Sequence, residues 1–377
     1  HAPMYMEKGL YRSYAKLVKD TVKVPVFMAG RMDTPEMALD SVEKGICDVI
    51  SLGRPLLADP DYVKKLRAGQ TACIRPCISC QEGCMGRIQA YSMINCAVNP
   101  QTARERVTAY EPVSRPKKVL IAGGGVAGCE AARVLAERGH TPCLFEASGR
   151  LGGNLLAGGA PDFKEDDLQL AVWYEKELKR LGVPVALHTK VTKEMALAGG
   201  YDAVIVATGS RPKMFSLGDD ERVYSAEQVL LKEKDPGNRV VIVGGGLVGC
   251  EMALDLAQKG KQVTVLEALP KLMAVNGPIC SANREMLEEL LPFHGVNSIC
   301  GARVTGFRAG EVTFEADGEK RKLPADSVIL CVGYRSEDEL YRELEFEVAD
   351  LYLLGDAGKV SNIMYAIWDA FEVANHI

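Results

Sequence analysis

The hydrophobic pattern of this chain predicts two copies of a strand–turn–helix–strand segment. An apolar run that begins at Val119 leads into a glycine-rich turn, continues as a helical run and returns as a second strand that ends at Glu146. The segment from Val240 to Glu267 repeats this pattern around a second glycine-rich turn. Self-similarity of this kind indicates an internal duplication.

Each turn has the spacing Gly-x-Gly-x-x-Gly that is typical of dinucleotide-binding folds. The first glycine allows a tight turn, the second lets the backbone approach a pyrophosphate, and the third lets the helix pack closely on the sheet. A carboxylate about 20 residues further on binds a ribose hydroxyl in such folds. The candidate residues are Gly123, Gly125, Gly128 and Glu146 in the first copy, and Gly244, Gly246, Gly249 and Glu267 in the second. We therefore predict two bound dinucleotides.

Each copy closes with a buried strand that ends at a glycine. The run from Asp202 to Gly209 corresponds to the run from Asp326 to Gly333. Helical periodicity without breakers predicts a helix over residues 166–181, and a last strand ends at Gly355 and Asp356 before a helix that begins near Asn362.

The first 55 residues read as two parallel β/α units. A strand that begins at Val24 ends in Gly30-Arg31, a helical run follows over residues 34–44, and a second strand ends in Gly53-Arg54. The last two units of a β/α barrel form a phosphate site just past the carboxyl ends of their strands. The alternative is a pair of surface arginines after ordinary turns. Only about two of the eight units of a barrel are present, so this region cannot close a barrel by itself.

Five of the twelve cysteines fall between Cys73 and Cys96, which predicts a metal site. Three close thiolates and a distant fourth can surround a cubane cluster, and we assign them to Cys77, Cys80, Cys84 and Cys96. Zinc is the alternative, but it usually takes paired two-residue spacings and this group has one. Cys73 is interpreted as a bystander. The other seven cysteines are expected to be buried thiols that pack as small hydrophobes, and residues 101–118, with Pro112 and Pro116, read as a linker.

Composition narrows the class of protein. The 377 residues are 47% hydrophobic and 25% charged, with a net charge of −5, a balance typical of a globular protein of two or three domains. Scattered positive charge argues against nucleic acid as a partner. The lack of a long apolar stretch argues against a membrane span, so we expect a cytoplasmic protein. The first residue is His1 rather than Met, which suggests a longer gene product.

The sequence resembles the iron–sulfur flavoenzymes of the 2-enoate reductase and 2,4-dienoyl-CoA reductase family. The features that carry this resemblance are the two Gly-Arg pairs, the four cysteines, the two glycine turns and Gly355-Asp356. The resemblance implies an α/β protein that contains the last units of a (β/α)8 barrel, an iron–sulfur loop and two Rossmann-like domains, the FAD domain being interrupted by an NAD(P)H domain. The implied segments are the end of the FMN barrel (1–70), the [4Fe–4S] loop and linker (71–116), the FAD domain (117–215 and 331–377) and the NAD(P)H domain (216–330).

The resemblance also implies roles for individual residues. Gly30, Arg31, Gly53 and Arg54 would hold the FMN phosphate, whereas Glu146, Arg150 and Asp356 would hold the ribose, diphosphate and ribityl groups of FAD. Ala366 would bring a helix start near the flavin ring, and Gly209 would lie at the cofactor. The second copy would bind NADH, because Glu267 hydrogen-bonds a 2′-hydroxyl and repels a 2′-phosphate, although Lys271 could soften that repulsion.

The implied activity is a relay. Electrons would pass from NADH through FAD, the [4Fe–4S] cluster and FMN to the C=C bond of a small α,β-unsaturated acid or acyl-CoA. The residues that act on the substrate would precede His1, so no catalytic residue is assigned, and a missing N-terminal barrel portion is the expected partner. Two alternatives stay open: an amine dehydrogenase related to trimethylamine dehydrogenase, and an electron-transfer module without a substrate site. A disulfide reductase is disfavoured, since no redox cysteine pair follows either glycine turn. Homo-oligomer formation is left open.

Overall fold

The chain divides into two compact units. The computed structural model describes residues 2–218, 220–274 and 279–377. The first unit comprises His1–Leu155, Phe163–Gly209 and Asp338–Ile377, and the second comprises Leu156–Asp162 and Ser210–Glu337. The division into five segments is finer than this and remains a prediction.

The N-terminal region contains one parallel strand pair with short helices around it. Its elements are α1 (Arg12–Thr21), β1 (Phe27–Met28), α2 (Pro35–Glu43), β2 (Val49–Ile50), α3 (Arg54–Ala58) and α4 (Tyr62–Arg67). Strands β1 and β2 pair in parallel, and the Thr34 hydroxyl caps the start of α2 by accepting from Met37 N at 3.3 Å. The small core under them contains Val26 and Met28. The predicted strand–helix–strand order is confirmed.

The segment that contains the five clustered cysteines, residues 71–96, has little regular structure and is called the cysteine segment below. A 3₁₀ turn (Thr71–Cys73), a π-helical turn (Glu82–Gly86) and the short α5 (Arg87–Gln89) are its elements. No helix or strand occurs in residues 101–117, all of which are described, yet Thr102 and Thr108 are buried and the Thr102 hydroxyl donates to the Leu57 carbonyl at 2.8 Å. The predicted linker is therefore packed against its neighbours.

The first unit is built on a five-stranded parallel sheet of order β17-β6-β3-β4-β5. Between residues 118 and 206 the elements are β3 (Lys118–Ala122), α6 (Val126–Arg138), β4 (Thr141–Phe145), α7 (Leu155–Gly158), α8 (Glu165–Arg180), β5 (Val185–Ala186), α9 (Lys193–Ala198) and β6 (Ala203–Val206). The helix predicted over residues 166–181 is confirmed to within one residue. Leu120, Val204 and Val206 lie in the core of this sheet.

The second unit repeats this sheet with the order β11-β10-β9-β15-β8, again all parallel. Its elements are β7 (Ser210–Pro212), β8 (Val223–Ser225), α10 (Ala226–Leu230), β9 (Arg239–Val243), α11 (Leu247–Gln258), β10 (Gln262–Glu267), α12 (Ser281–Phe293), β11 (Asn297–Cys300), β12 (Arg303–Arg308), β13 (Glu311–Ala316), β14 (Glu319–Pro324), β15 (Ser327–Leu330) and β16 (Tyr334–Ser336). Strands β12, β13 and β14 form an antiparallel sheet whose Phe307 and Phe314 are fully buried.

The chain then returns to the first unit through α13 (Glu339–Leu344), β17 (Leu351–Leu353) and α14 (Ile363–His376). The Asn362 side chain caps α14 by accepting from Tyr365 N at 3.1 Å, which places the helix start where the sequence predicts it. The predicted α/β class with two Rossmann-like sheets is thus confirmed.

The prediction that the cysteines outside the cluster segment are buried has a mixed outcome. Cys129 and Cys250 are buried as expected, but Cys143, Cys300 and Cys331 are only partly buried. Among the described residues, no helix has both the length and the apolar character needed to cross a membrane.

Candidate functional site

The four predicted ligand cysteines line one cavity. Its wall consists of Arg54, Leu57, Cys77, Ile78, Cys80, Gln81, Gly83, Cys84, Cys96, Ala97 and Val98. Among the described residues, no group of three or more His, Cys, Asp or Glu is placed to hold a single metal ion. The cysteines therefore surround a space rather than meet at one point, and Cys73 is not part of its wall.

Close backbone contact brings Cys96 to the other three cysteines. A Cβ atom built on Gly83 would lie 2.8 Å from the Cys96 carbonyl carbon and from Ala97 N. Only glycine therefore lets the backbone at residue 83 approach the backbone at residues 96 and 97 so closely. Asn95 N donates to the Gly83 carbonyl at 2.8 Å at the same crossing. Ser79 and Gln81 adopt left-handed backbone conformations, with φ of 53° and 61°. Local strain of this type is common at functional sites.

Burial controls the protonation of these thiols. It raises the pKa of Cys77, Cys80 and Cys84, and it raises the pKa of Cys96 to about 11. Desolvation disfavours a thiolate unless a cation compensates its charge. Four partly buried thiols around one cavity, with pKa values raised by desolvation, therefore fit a positively charged inorganic centre, for which thiolate sulfur is the usual ligand.

The first glycine turn is shaped to approach a ligand. Gly123 has φ +112°, and a Cβ there would lie 2.3 Å from the Ala207 carbonyl oxygen. A Cβ on Gly128 would lie 1.9 Å from the Gly123 carbonyl oxygen, whereas a Cβ on Gly125 would meet nothing within 4 Å. Gly125 is the residue before α6, and no side chain caps that helix. The N–H groups at the helix start are thus presented to an anion in the way that a bound pyrophosphate requires.

Glu146 lies at the end of β4, directly beside this turn. Its carboxylate accepts from Gly124 N and from Ser148 N, each at 2.7 Å, which fixes its orientation. The loop that contains Arg150 folds back against the turn, because Gly152 N donates to the Gly124 carbonyl at 2.9 Å. The Arg150 side chain is exposed.

The C-terminal segment closes over the same turn. A Cβ on Gly355, which has φ +58°, would lie 3.0 Å from the Ala127 Cβ and 3.5 Å from the Ala366 Cβ. Asp356 accepts from Ser361 N at 3.0 Å, and Asp369 on α14 accepts from Gly355 N at 2.7 Å. Helices α6 and α14 therefore both begin at this turn. Asp369 was not predicted from the sequence, because its partner lies in a different element and no motif marks it.

The second glycine turn has the same geometry. A Cβ on Gly244 would lie 2.4 Å from the Cys331 carbonyl oxygen, and one on Gly249 would lie 1.9 Å from the Gly244 carbonyl oxygen. Gly246 precedes α11, which also lacks a side-chain cap. Glu267 is buried and accepts from Gly245 N at 2.5 Å and from Leu269 N at 2.7 Å. Gly209 and Gly333, which end the closing strands of the two copies, both have positive φ.

The two Gly-Arg pairs of the N-terminal region differ in their surroundings. Arg31 is buried; its guanidinium donates to Asp166 at 2.9 Å, to the Met4 carbonyl at 2.7 Å and to the Met6 carbonyl. Gly30 has φ +112° and packs against the Tyr11 ring. Arg31 thus has partners other than a phosphate, and its role as a phosphate ligand stays a prediction. The partner Asp166 could not be foreseen, because it lies 135 positions away.

Arg54, in contrast, has a buried guanidinium nitrogen, Nη1, that finds no hydrogen-bond partner within the part of the chain that the structure describes. Gly53 precedes α3, and a Cβ there would meet nothing within 4 Å. An orphaned cationic donor next to an open glycine fits a phosphate. Arg54 also lines the cysteine cavity, so one side chain adjoins both predicted sites.

Three protein-family descriptions match the chain. Residues 4–72 match the NADH:flavin oxidoreductase / NADH oxidase family, residues 121–167 match an NAD(P)-binding Rossmann-like domain, and residues 194–368 match pyridine nucleotide-disulphide oxidoreductase.

Individual proteins are similar over nearly the whole chain. A cinnamate reductase from Clostridium sporogenes is 47% identical over 377 residues, which is 100% of this chain and 57% of that protein. An NADH oxidase from Thermoanaerobacter brockii is 35% identical, with 99% and 58% covered. A solved structure of 2-naphthoyl-CoA reductase with 2-naphthoyl-CoA has a TM-score of 0.93 at 27% identity and covers 100% of this chain and 57% of that chain. This chain thus spans somewhat more than half the length of these relatives.

Proposed function

Because this chain belongs to the NADH:flavin oxidoreductase / NADH oxidase family, with the iron–sulfur flavoenzymes of the 2-enoate reductase and 2,4-dienoyl-CoA reductase type, we propose that it is part of an NADH-dependent ene-reductase. This family implies FAD, FMN, an iron–sulfur cluster and NADH as cofactors. The observation that carries the proposal is the cavity lined by all four predicted ligand cysteines, in the same compact unit as the first glycine turn.

The residues of the chain have separate tasks in this proposal. The start of α6 and Gly125 hold the FAD pyrophosphate, and Glu146 holds a ribose of FAD. The start of α11 and Glu267 do the same for NADH. Cys77, Cys80, Cys84 and Cys96 hold the cluster, and Arg54 holds the FMN phosphate. When bound, the flavins and the cluster supply hydride acceptance and single-electron transfer, which no side chain can supply.

The proposed substrate is a small α,β-unsaturated acid or acyl-CoA, reduced at its C=C bond. The similarity to a cinnamate reductase and to a naphthoyl-CoA reductase supports this class over the amine substrates of the alternative interpretation. The intact second turn with its buried Glu267 also favours a protein that accepts electrons from NADH. No residue of this chain is proposed as the proton donor.

The remaining walls of the FMN site are proposed to come from residues outside this chain. A closed barrel needs eight strands, and the matched barrel region, residues 4–72, contains only β1 and β2. Apolar side chains of that region are well exposed, among them Leu17 at 68%, Phe27 at 67% and Val24 at 64%. An exposed apolar surface of this kind is typical of a face that another segment covers.

The test is anaerobic turnover by the holoprotein with NADH and two kinds of acceptor, cinnamate and an enoyl-CoA, with a saturated acid as the matched control. We expect NADH oxidation that depends on the unsaturated acceptor and yields the saturated product in equal amount. Reduction of the flavin by a secondary or tertiary amine in place of NADH, or no reduction of any alkene, would contradict the proposal.

A further inference from the structure

Both tryptophans of this chain donate their indole N–H to a backbone carbonyl in the cysteine segment. Trp173 Nε1 donates to the Cys73 carbonyl at 3.2 Å, and Trp368 Nε1 donates to the Cys96 carbonyl at 3.0 Å. Each indole also lies under an arginine of that segment, Arg75 at 4.7 Å from the Trp173 ring and Arg87 at 5.6 Å from the Trp368 ring. The two contacts are therefore chemically alike.

The hydrogen bonds of Trp173 and Trp368 differ in the elements that they connect. Cys73 lies outside the cavity, whereas Cys96 lines it. Trp173 lies in the middle of α8, but Trp368 lies in the second turn of α14, whose first turn adjoins the first glycine turn through Ala366, Gly355 and Ala127. Trp368 is partly buried, and its ring centroid lies 6.5 Å from that of Tyr365. One helix therefore borders the predicted FAD site at its start and contacts a predicted cluster ligand through the next turn.

A short path of bonds thus connects the two sites. It runs along the α14 backbone from Ala366 to Trp368, through the indole and its N–H···O=C hydrogen bond, and through Cys96 to its Sγ atom. Trp368 and Cys96 lie 272 positions apart in the sequence, so the fold brings this contact about.

We propose that the hydrogen bond from Trp368 to Cys96 is the route by which electrons pass from FAD to the cluster, an inference that depends on the proposed function. A hydride from NADH brings two electrons to FAD, and each passage along this route oxidises the flavin by one electron and reduces the cluster by one electron. The cluster then passes that electron on to FMN before the second follows. The indole keeps its proton throughout, and no bond to tryptophan forms or breaks.

The experiment compares Trp368→Phe with Trp173→Phe in the anaerobic holoprotein. Both variants keep an aromatic ring and lose one N–H donor to the cysteine segment, so Trp173→Phe is the matched control. NADH is mixed with each protein in a stopped-flow instrument. The first phase of flavin bleaching reports hydride transfer to FAD, and freeze-quench EPR reports reduction of the cluster. Iron content and the reduction potential of the cluster are measured on the same samples.

In Trp368→Phe we expect an unchanged first phase of flavin bleaching, unchanged iron content and unchanged potential, with reduction of the cluster slowed severalfold. In Trp173→Phe we expect all four quantities to match those of the unaltered protein. Trp368→His, which retains an N–H donor on the ring, should recover part of the lost rate.

Equal rates of cluster reduction in Trp368→Phe and the unaltered protein would overturn the inference. Loss of iron in Trp368→Phe would also overturn it, because the hydrogen bond would then hold the segment rather than conduct electrons. Failure of the proposed function looks different: NADH would reduce neither the flavin nor the cluster of the unaltered protein, and both proposals would fall together.

Discussion

The two glycine turns of this chain are nearly identical in geometry and differ in what surrounds them. In both, a Cβ on the third glycine would lie 1.9 Å from the carbonyl oxygen of the first, and the following carboxylate accepts from the backbone N–H of the second residue of the turn. Cys129 and Cys250 even donate to equivalent carbonyls, at 3.3 and 3.4 Å. The two copies thus share one turn geometry.

The surroundings diverge at the outer strand of each sheet. In the second unit that strand is β8, which comes first in the chain among the five strands of its sheet and leads directly into the five-residue α10, capped by Ser225. In the first unit the equivalent strand is β17, which comes last and leads through Gly355 and Asp356 into the 14-residue α14. The longer helix contacts the cysteine segment of its own unit, because Trp368 Nε1 donates to the Cys96 carbonyl.

The largest difference between the surroundings of the two turns is the cysteine segment, which belongs to the same compact unit as the first turn. We expect Cys96→Ser to abolish the cluster, since a ligand thiolate is lost from the cavity wall. Cys73→Ser is the matched control and should retain full iron, because Cys73 does not line the cavity. Iron and sulfide analysis of anaerobically purified protein, with EPR, makes the comparison. Iron retained by Cys96→Ser and lost by Cys73→Ser would reverse the ligand assignment.

One matched pair of variants, Gly128→Ala and Gly249→Ala, tests whether the two turns bind different cofactors. Each added methyl would clash with a carbonyl oxygen, and overpacking of this kind costs about 1–3 kcal/mol of stability. We expect Gly128→Ala to lose FAD on purification. Gly249→Ala should keep its FAD but reduce it slowly with NADH. Flavin analysis and stopped-flow bleaching separate the two, and the opposite pattern would exchange the two cofactor assignments.

The carboxylates that follow the two turns differ in burial: Glu267 is buried, whereas Glu146 is only partly buried. Glu267→Ala removes the acceptor for a ribose hydroxyl, and hydrogen bonds to charged groups contribute about 1.5–3 kcal/mol, or roughly a tenfold or larger loss of kcat/KM for NADH. The preference for NADH over NADPH should fall with it. Glu146→Ala is the control and should weaken FAD retention without changing that preference. Equal kcat/KM for both nucleotides in the unaltered protein would refute the assignment of Glu267.

The smallest expected effect concerns the two cysteines that follow the turns. Cys129→Ala and Cys250→Ala each remove a buried sulfur and a weak donor, a loss of about 1 kcal/mol in stability, the scale of a small core deletion. The two variants should therefore show similar, modest decreases in Tm with flavin content and NADH reduction intact. A large loss of activity in either would show that its thiol has a role beyond packing.

The sequence alone determined the elements whose signals are local. Hydrophobic runs of period two or 3.6, the spacing of the glycines and the carboxylate at the end of the next strand all act within about 30 residues, so both binding turns and the α/β class could be predicted. The cysteine spacing also identified the four cysteines that line one cavity, because three of them share a single loop.

Tertiary structure alone decided the contacts between distant elements. The pairing of Arg31 with Asp166, the donation from Trp368 to Cys96 and the closure of α14 over the first turn join residues more than 100 positions apart. No periodicity encodes such pairs, because a side chain's partner across the sheet depends on how whole helices pack. That is also why two turns with the same sequence spacing came to lie in different surroundings.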